Sequence, residues 1–120
     1  MSGVLAIRGA VQAADNSRSA IEAATRELLS AMTERNELEV GDLVAVWFTQ
    51  TPDLTAAHAA AAARALGWTS VALLSAQEVP VADQLPSVVR ALVLARGERG
   101  VPEVRHAYLG VTSALREDLA

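Results

Sequence analysis

The stretch that decides the fold is Leu43-Val44-Ala45-Val46-Trp47-Phe48-Thr49, in the first half of the 120-residue chain. Its seven residues are mostly β-branched, aromatic or aliphatic, and such side chains favour a β-strand. Because the run is almost continuously apolar, we expect both of its faces to be covered, as in the buried strands of layered α/β proteins.

A helix is predicted on each side of this strand. Before it, apolar residues recur at helical spacing until about Asn36, and Ser19 with Glu22 fits a capping box at the start. After it, an alanine-rich run from Ala56 to Leu66 predicts a second helix, closed by Gly67. The small side chains of that helix allow very close packing on a neighbour, which hints at an interface.

Four further short apolar runs predict strands, and for the third of them, which contains Arg90, a helix is the alternative. A polar, proline-containing loop is expected from Ser75 to Gln84. The four runs are Val4–Ile7, which ends at Arg8, Val71–Leu74, Val88–Leu94 and Val104–Leu109.

The resulting order, βαβαβββ, indicates one α/β (α+β) domain over residues 1–120, with a mixed β-sheet and two main helices on one face. Two helices cannot cover both faces of five strands. We therefore expect the exposed face of the sheet to pack against other subunits.

Composition excludes several classes of function. The chain is 52% hydrophobic and has a net charge of −4, so a nucleic-acid surface, which needs clustered cations, is not expected. No apolar run approaches the ~20 residues of a membrane span, and no signal peptide is evident. There is no cysteine, the two histidines are isolated, and no phosphate-binding loop is present. We expect a soluble cytoplasmic protein with no metal and no cofactor.

All ten basic residues are arginine, which stays charged at any working pH and offers a planar fork for carboxylates. Two of them stand in apolar surroundings: Arg8 at the end of a predicted strand and Arg90 inside Val-Val-Arg-Ala-Leu-Val. The plain alternative is that each points to solvent from an alternating strand. Glu78 and Tyr108 have equally ordinary local interpretations, as a loop carboxylate and a core or interface tyrosine.

Seven short blocks stand in order along nearly the whole chain: Ile7–Ala10, Thr51–Leu54, Gly67–Trp68, Gln77–Glu78, Arg90, Arg105–Leu109 and Leu115–Leu119. Taken together and in this order, they resemble the AroH-class chorismate mutases. The resemblance implies a pseudo-barrel homotrimer with three clefts between subunits. It also implies the cofactor-free rearrangement of chorismate to prephenate, in the shikimate pathway to phenylalanine and tyrosine.

The resemblance also implies the site residues. The carboxylate of the enolpyruvyl arm would be held by Arg8, Arg90 and Tyr108, and Arg90 would also reach the ether oxygen. The ring hydroxyl would face Glu78, helped by Ser75, and the apolar wall would be Leu73 and Leu74. The adjacent subunit would contribute Arg64, His58 and Ala60, and the tail residues Leu115 and Arg116 would close the mouth of the site.

The sequence departs from the family pattern near the ring carboxylate: Ala61 stands where the family can carry lysine, and His58 where it has an aromatic contact. Two other functions remain open on the sequence alone. One is a RidA-like trimeric imine deaminase, and the other is a non-catalytic trimer that binds a dicarboxylate. Turnover of chorismate separates all three.

Overall fold

The computed structural model describes residues 3–97 and 104–116, the last of these by its backbone alone. No helix of this part of the chain is long and apolar enough to cross a membrane. Short 3₁₀ segments lie at Val40–Asp42 and Gly110–Arg116. The main elements are β1 (Gly3–Gln12), α1 (Arg18–Arg35), β2 (Leu43–Gln50), α2 (Ala59–Ala65), β3 (Ala72–Gln77), β4 (Val88–Gly97) and β5 (Ala107–Tyr108).

The five strands form one sheet in the order β3-β2-β4-β1-β5. The central strand β4 is antiparallel to both β1 and β2, whereas β3 is parallel to β2 and β5 is parallel to β1. The predicted mixed sheet and the order βαβαβββ are therefore confirmed. The segment around Arg90 is a strand and not a helix.

Both helices cover one face of this sheet. Alternate residues of the strands, such as Ile7, Phe48 and Val93, are buried in one apolar cluster with residues of α1 and α2. On the opposite face, hereafter the open face, Trp47 is 41% exposed and Leu74 is 57% exposed. Within the described part of one chain, β2 is therefore covered on one face only, because both helices lie on that side.

Helix α1 has the predicted extent and core face but a different start. Its N-cap is Ser17, whose backbone is extended and whose Oγ accepts a hydrogen bond from the Ala20 amide at 3.1 Å. Ser19 lies inside the first turn, so the capping box predicted there is wrong. The C-cap is Asn36, as predicted.

Several strands differ in length from their apolar runs. Strand β1 continues to Gln12, so Arg8 lies in mid-strand rather than at the end, and it pairs with Leu92. Strand β3 continues to Gln77, so Ser75 belongs to the strand rather than to a loop. Backbone pairing continues past a polar residue whenever a neighbouring strand is in register, which an apolar run cannot reveal.

Two other elements are shorter than predicted. Helix α2 begins at Ala59 rather than Ala56, because the buried Gln50 side chain binds the preceding loop. Its amide donates to the carbonyls of Leu54 and Ala57 and accepts from the Ala59 amide. Strand β5 has only two residues instead of the predicted six.

Gly9 allows the short strand β5 and helix α1 to approach β1 closely. A Cβ at this position would lie 2.8 Å from the Ala107 carbonyl oxygen and 2.8 Å from Leu28 Cδ1. The buried Asn36 side chain holds the chain just before β5, bonding both the amide and the carbonyl of Arg105 at 2.8 Å. These contacts fix Tyr108 beside β1.

Candidate active site

The sheet register gathers three of the predicted residues on the open face. Arg90 pairs with Ala10 of β1, and Ala10 pairs in turn with Tyr108 of β5. Arg8 stands two residues before Ala10 and therefore points to the same face. Arg8, Arg90 and Tyr108 line one cavity of about 500 Å³, together with Trp47, Thr49, Leu92 and the backbone of Gly9 and Ala91.

Glu78 reaches the same face from the end of β3. Its amide donates to the Gln50 carbonyl at 2.8 Å, which fixes the backbone. Its Oε2 lies 3.3 Å from Arg90 Nε, and the side chains of Glu78 and Arg90 are 13% and 41% exposed. A carboxylate and a guanidinium, the two charges expected at the reacting ends of the substrate, therefore lie together, and the guanidinium of Arg90 lines the cavity.

Two neutral side chains that sequence reasoning missed hold the Glu78 carboxylate. Thr49 Oγ1 donates to Oε2 at 2.7 Å, and Gln84 Nε2 donates to Oε1 at 2.9 Å. Thr49 lies at the end of the most apolar strand and Gln84 in a loop, so nothing local marks either of them as part of a site. Thr49 is identified as part of the site only by its pairing with Arg90 across the sheet.

The Thr51–Leu54 block, known from the sequence only by resemblance, fastens the start of β4. Thr51 Oγ1 accepts from the Val88 amide at 3.0 Å, and Asp53 Oδ2 accepts from the amide and the hydroxyl of Ser87 at 2.9 and 3.0 Å. Ser87 has a φ of 60°, which a non-glycine residue adopts only when its surroundings enforce it. Desolvation acts to raise the pKa of Asp53, but hydrogen bonds from Thr51, Ser87 and the backbone outweigh it and lower the pKa.

A second group of predicted residues lies around the start of α2, away from this cavity. Ser75 Oγ accepts from the Ala60 amide at 3.2 Å. Ser75 and His58 line a separate cavity of about 480 Å³, with Gln77 and the loop that follows β2. Arg64 is exposed on the same helix. We call Ser75, His58, Ala60 and Arg64 the α2 cluster.

The structure does not bring Ser75 to Glu78 within one chain, although they are three residues apart. In an extended strand, residues separated by an odd number point to opposite faces, so Ser75 faces α2 and Glu78 faces the open side. For the same reason Leu73 packs against the core while Leu74 is exposed, and the two do not form one wall in a single chain.

The tail residues are partly described. Leu115 packs against the small cluster of Ala10, Val88 and Tyr108, at the edge of the open-face cavity. The side chain of Arg116 lies outside the described residues. Among the residues that the structure describes, no group of three His, Cys, Asp or Glu side chains is arranged to hold a metal ion.

The arrangement on the open face can bind an anionic ligand and place charge on it. Arg8 and Arg90 offer guanidinium donors that match a carboxylate. Arg90 Nε is buried and has no aligned hydrogen-bond partner among the described residues, but the Arg90 side chain as a whole is 41% exposed, so the guanidinium is within reach of a ligand.

Comparison with known proteins gives one consistent result. The family model described as chorismate mutase type I matches residues 4–119. The chain is 47% identical over 117 residues to chorismate mutase AroH of Thermus thermophilus, covering 97% of this chain and 96% of the relative. It is 32% identical over 115 residues to chorismate mutase AroH of Bacillus subtilis, covering 95% and 91%. A solved structure of a chorismate mutase from Clostridium thermocellum superposes with a TM-score of 0.89 and 38% identity, covering 91% of this chain and 97% of that one.

Proposed function

Since this chain belongs to the type I chorismate mutase family, we propose that its open-face cavity binds chorismate and that Arg90 and Glu78 drive the rearrangement to prephenate. The enzyme is an isomerase of aromatic amino acid biosynthesis, so the imine deaminase alternative is set aside. The observation that carries the residue assignment is the Arg90–Glu78 pair, 3.3 Å apart, in which Arg90 lines the same cavity as Arg8 and Tyr108.

The rearrangement can be catalysed by charged groups that are held in fixed positions. One C–O bond breaks as one C–C bond forms within the same molecule, and no proton, electron or group leaves. Arg8 and Tyr108 would hold the enolpyruvyl carboxylate, so that the flexible arm lies over the ring.

As the C–O bond breaks, negative charge grows on the ether oxygen and positive character grows on the ring. Arg90 would face the first and Glu78 the second. Such contacts bind the transition state more tightly than the substrate, which is the requirement for catalysis.

We further propose a homotrimer in which each cleft combines two half-sites from adjacent subunits. The open-face residues, with Leu115 and Arg116, would form one half. The α2 cluster, with Leu73, would form the other half and would bring Ser75 of one subunit toward Glu78 of the next. Two features support this proposal: the two groups line separate cavities in one chain, and the apolar open face presents Trp47 and Leu74 to solvent.

The purified protein should convert chorismate to prephenate with nothing added, measured by the loss of chorismate absorbance. Arg90→Ala should lose most of this activity, whereas Arg26→Ala, an exposed arginine on α1, should retain it. Tight binding of chorismate by the wild-type protein without turnover would favour the non-catalytic dicarboxylate-binding trimer instead.

A further inference from the structure

The Glu78 carboxylate has three donors around it, and only one of them carries a charge. Oε2 accepts from Thr49 Oγ1 at 2.7 Å and lies 3.3 Å from Arg90 Nε, and Oε1 accepts from Gln84 Nε2 at 2.9 Å. An ionised carboxylate offers about four acceptor positions. Among the described residues, Thr49 and Gln84 fill one position on each oxygen, and Arg90 Nε lies near Oε2 without an aligned hydrogen bond. Oε1, beside Gln84, therefore keeps a position for a ligand.

The contact between Glu78 and Arg90 is weaker than their charges allow. A free carboxylate and guanidinium close into a bidentate pair with two parallel hydrogen bonds. Here Oε2 lies 3.3 Å from Nε, and Nε is left without an aligned hydrogen bond. The neutral hydroxyl of Thr49 makes the shorter contact to the shared oxygen, so the orientation of the carboxylate is set by Thr49 rather than by Arg90.

Both neutral donors are themselves fixed in place. Thr49 pairs with Arg90 across β2 and β4, so its hydroxyl stands beside the guanidinium by register. The Gln84 side chain also accepts from the Val81 amide at 3.4 Å, which orients its amide group with the donor end toward Glu78. The loop that carries Gln84 is fastened at Ser87 by Asp53.

We propose that Thr49 and Gln84 are positioning residues that keep Glu78 and Arg90 from closing into a bidentate ion pair. A closed pair would satisfy both charges internally and leave neither for the transition state. Because the two neutral donors hold both carboxylate oxygens, they fix the orientation in which Oε2 lies 3.3 Å from Arg90 Nε without an aligned hydrogen bond. The two charges therefore stay close together but separately available to the substrate. This inference rests on the proposed roles of Glu78 and Arg90.

The test removes each donor while keeping the shape of the side chain. Thr49→Val and Gln84→Met should each lower kcat about tenfold, because small displacements of groups at the reacting atoms cost rate steeply. Thr49→Ser, which restores the hydroxyl, should recover most of the loss. In a Glu78→Ala background neither change should lower kcat further, because the group that they position is absent.

The matched control is Gln12→Met. Gln12 also donates a side-chain hydrogen bond to this loop, to the Pro86 carbonyl at 3.0 Å, and it makes no hydrogen bond to Glu78. It should keep wild-type kcat. Circular dichroism and sedimentation should show the same fold and mass for all variants. If Thr49→Val does not fold, the loop variant Gln84→Met carries the test.

Two results would overturn the proposal. One is wild-type kcat in both Thr49→Val and Gln84→Met while Glu78→Ala is impaired, which leaves the proposed function standing. The other is an equal loss with and without Glu78, which would make the two residues merely structural. If Glu78→Ala itself keeps wild-type kcat, the role of Glu78 fails and this inference fails with it.

Discussion

At the scale of single residues, the central feature is the Arg90 guanidinium, which can act on a substrate only if it is not fully paired with Glu78. Arg90 stands among apolar residues in β4, and its Nε lies 3.3 Å from Glu78 Oε2. Its permanent charge places a cation at a fixed point without taking part in proton exchange. Arginine can have two roles in such a site: it can anchor a carboxylate of the substrate, or it can stabilise the charge that develops in the transition state.

Replacing Arg90 with citrulline, which keeps the shape and removes the charge, should lower kcat far more than it weakens chorismate binding. The ether oxygen carries little charge in the ground state and much more in the transition state. Loss of such a donor costs about 10²–10³-fold in rate. Steady-state kinetics, with binding measured by calorimetry, separates the two effects.

The control is the same replacement at Arg26, on the exposed side of α1, which should leave both constants unchanged. Near wild-type kcat at saturation, with weakened binding, would show that Arg90 is an anchor only.

At the scale of elements, the loop before β4 is held in a conformation that its own sequence does not favour. Ser87 has a positive φ, and the Asp53 carboxylate binds both its amide and its hydroxyl. Since Arg90 follows three residues later, this clasp also sets where the strand begins.

Asp53→Ala should destabilise the fold by about 1 kcal/mol at pH 7, the usual contribution of such hydrogen bonds at an accessible position. The pKa of Asp53 is lowered in the folded state, so its contribution is fully present above the unfolded pKa and is lost as pH falls through the folded pKa. Urea unfolding from pH 7 downward should therefore show the wild-type advantage shrinking below about pH 4. A difference that does not vary with pH would show that the carboxylate charge has no part in the clasp.

At the scale of the whole molecule, the predicted site residues fall into two groups that do not meet within one chain. The open-face residues and the α2 cluster line different cavities, and alternation along β3 turns Ser75 and Glu78 to opposite sides. In the proposed trimer, a closed ring of three subunits would let each open face meet the next subunit's α2 cluster. In solution the protein should sediment at about three times the 12.6 kDa chain mass.

Mixing inactive Arg64→Ala chains with inactive Arg90→Ala chains, followed by reassembly, should restore activity. If each cleft takes Arg64 from one subunit and Arg90 from its neighbour, about a quarter of the clefts in an equal mixture are intact. Mass spectrometry of the assemblies confirms mixing. No recovery in verified mixed trimers would place both residues in one subunit's site, or show that one is structural.

The sequence by itself determined the elements and the residue types of the site. The period of α1, the apolar runs and the glycine after α2 predicted helices and strands in the right order, because these signals are local and repeat along the chain. The ordered blocks predicted the family, and with it Arg8, Glu78, Arg90 and Tyr108.

Only the tertiary structure decided which of these residues meet. Thr49 and Gln84 join Glu78 across 29 and 6 residues of chain, and Ser75 is turned away from it. Contacts of this kind depend on strand order and register, which are set by pairing between distant segments and leave no local pattern. Strand β1 continues past Arg8 and strand β3 continues through Ser75 for the same reason, since backbone pairing does not depend on whether the side chain is apolar.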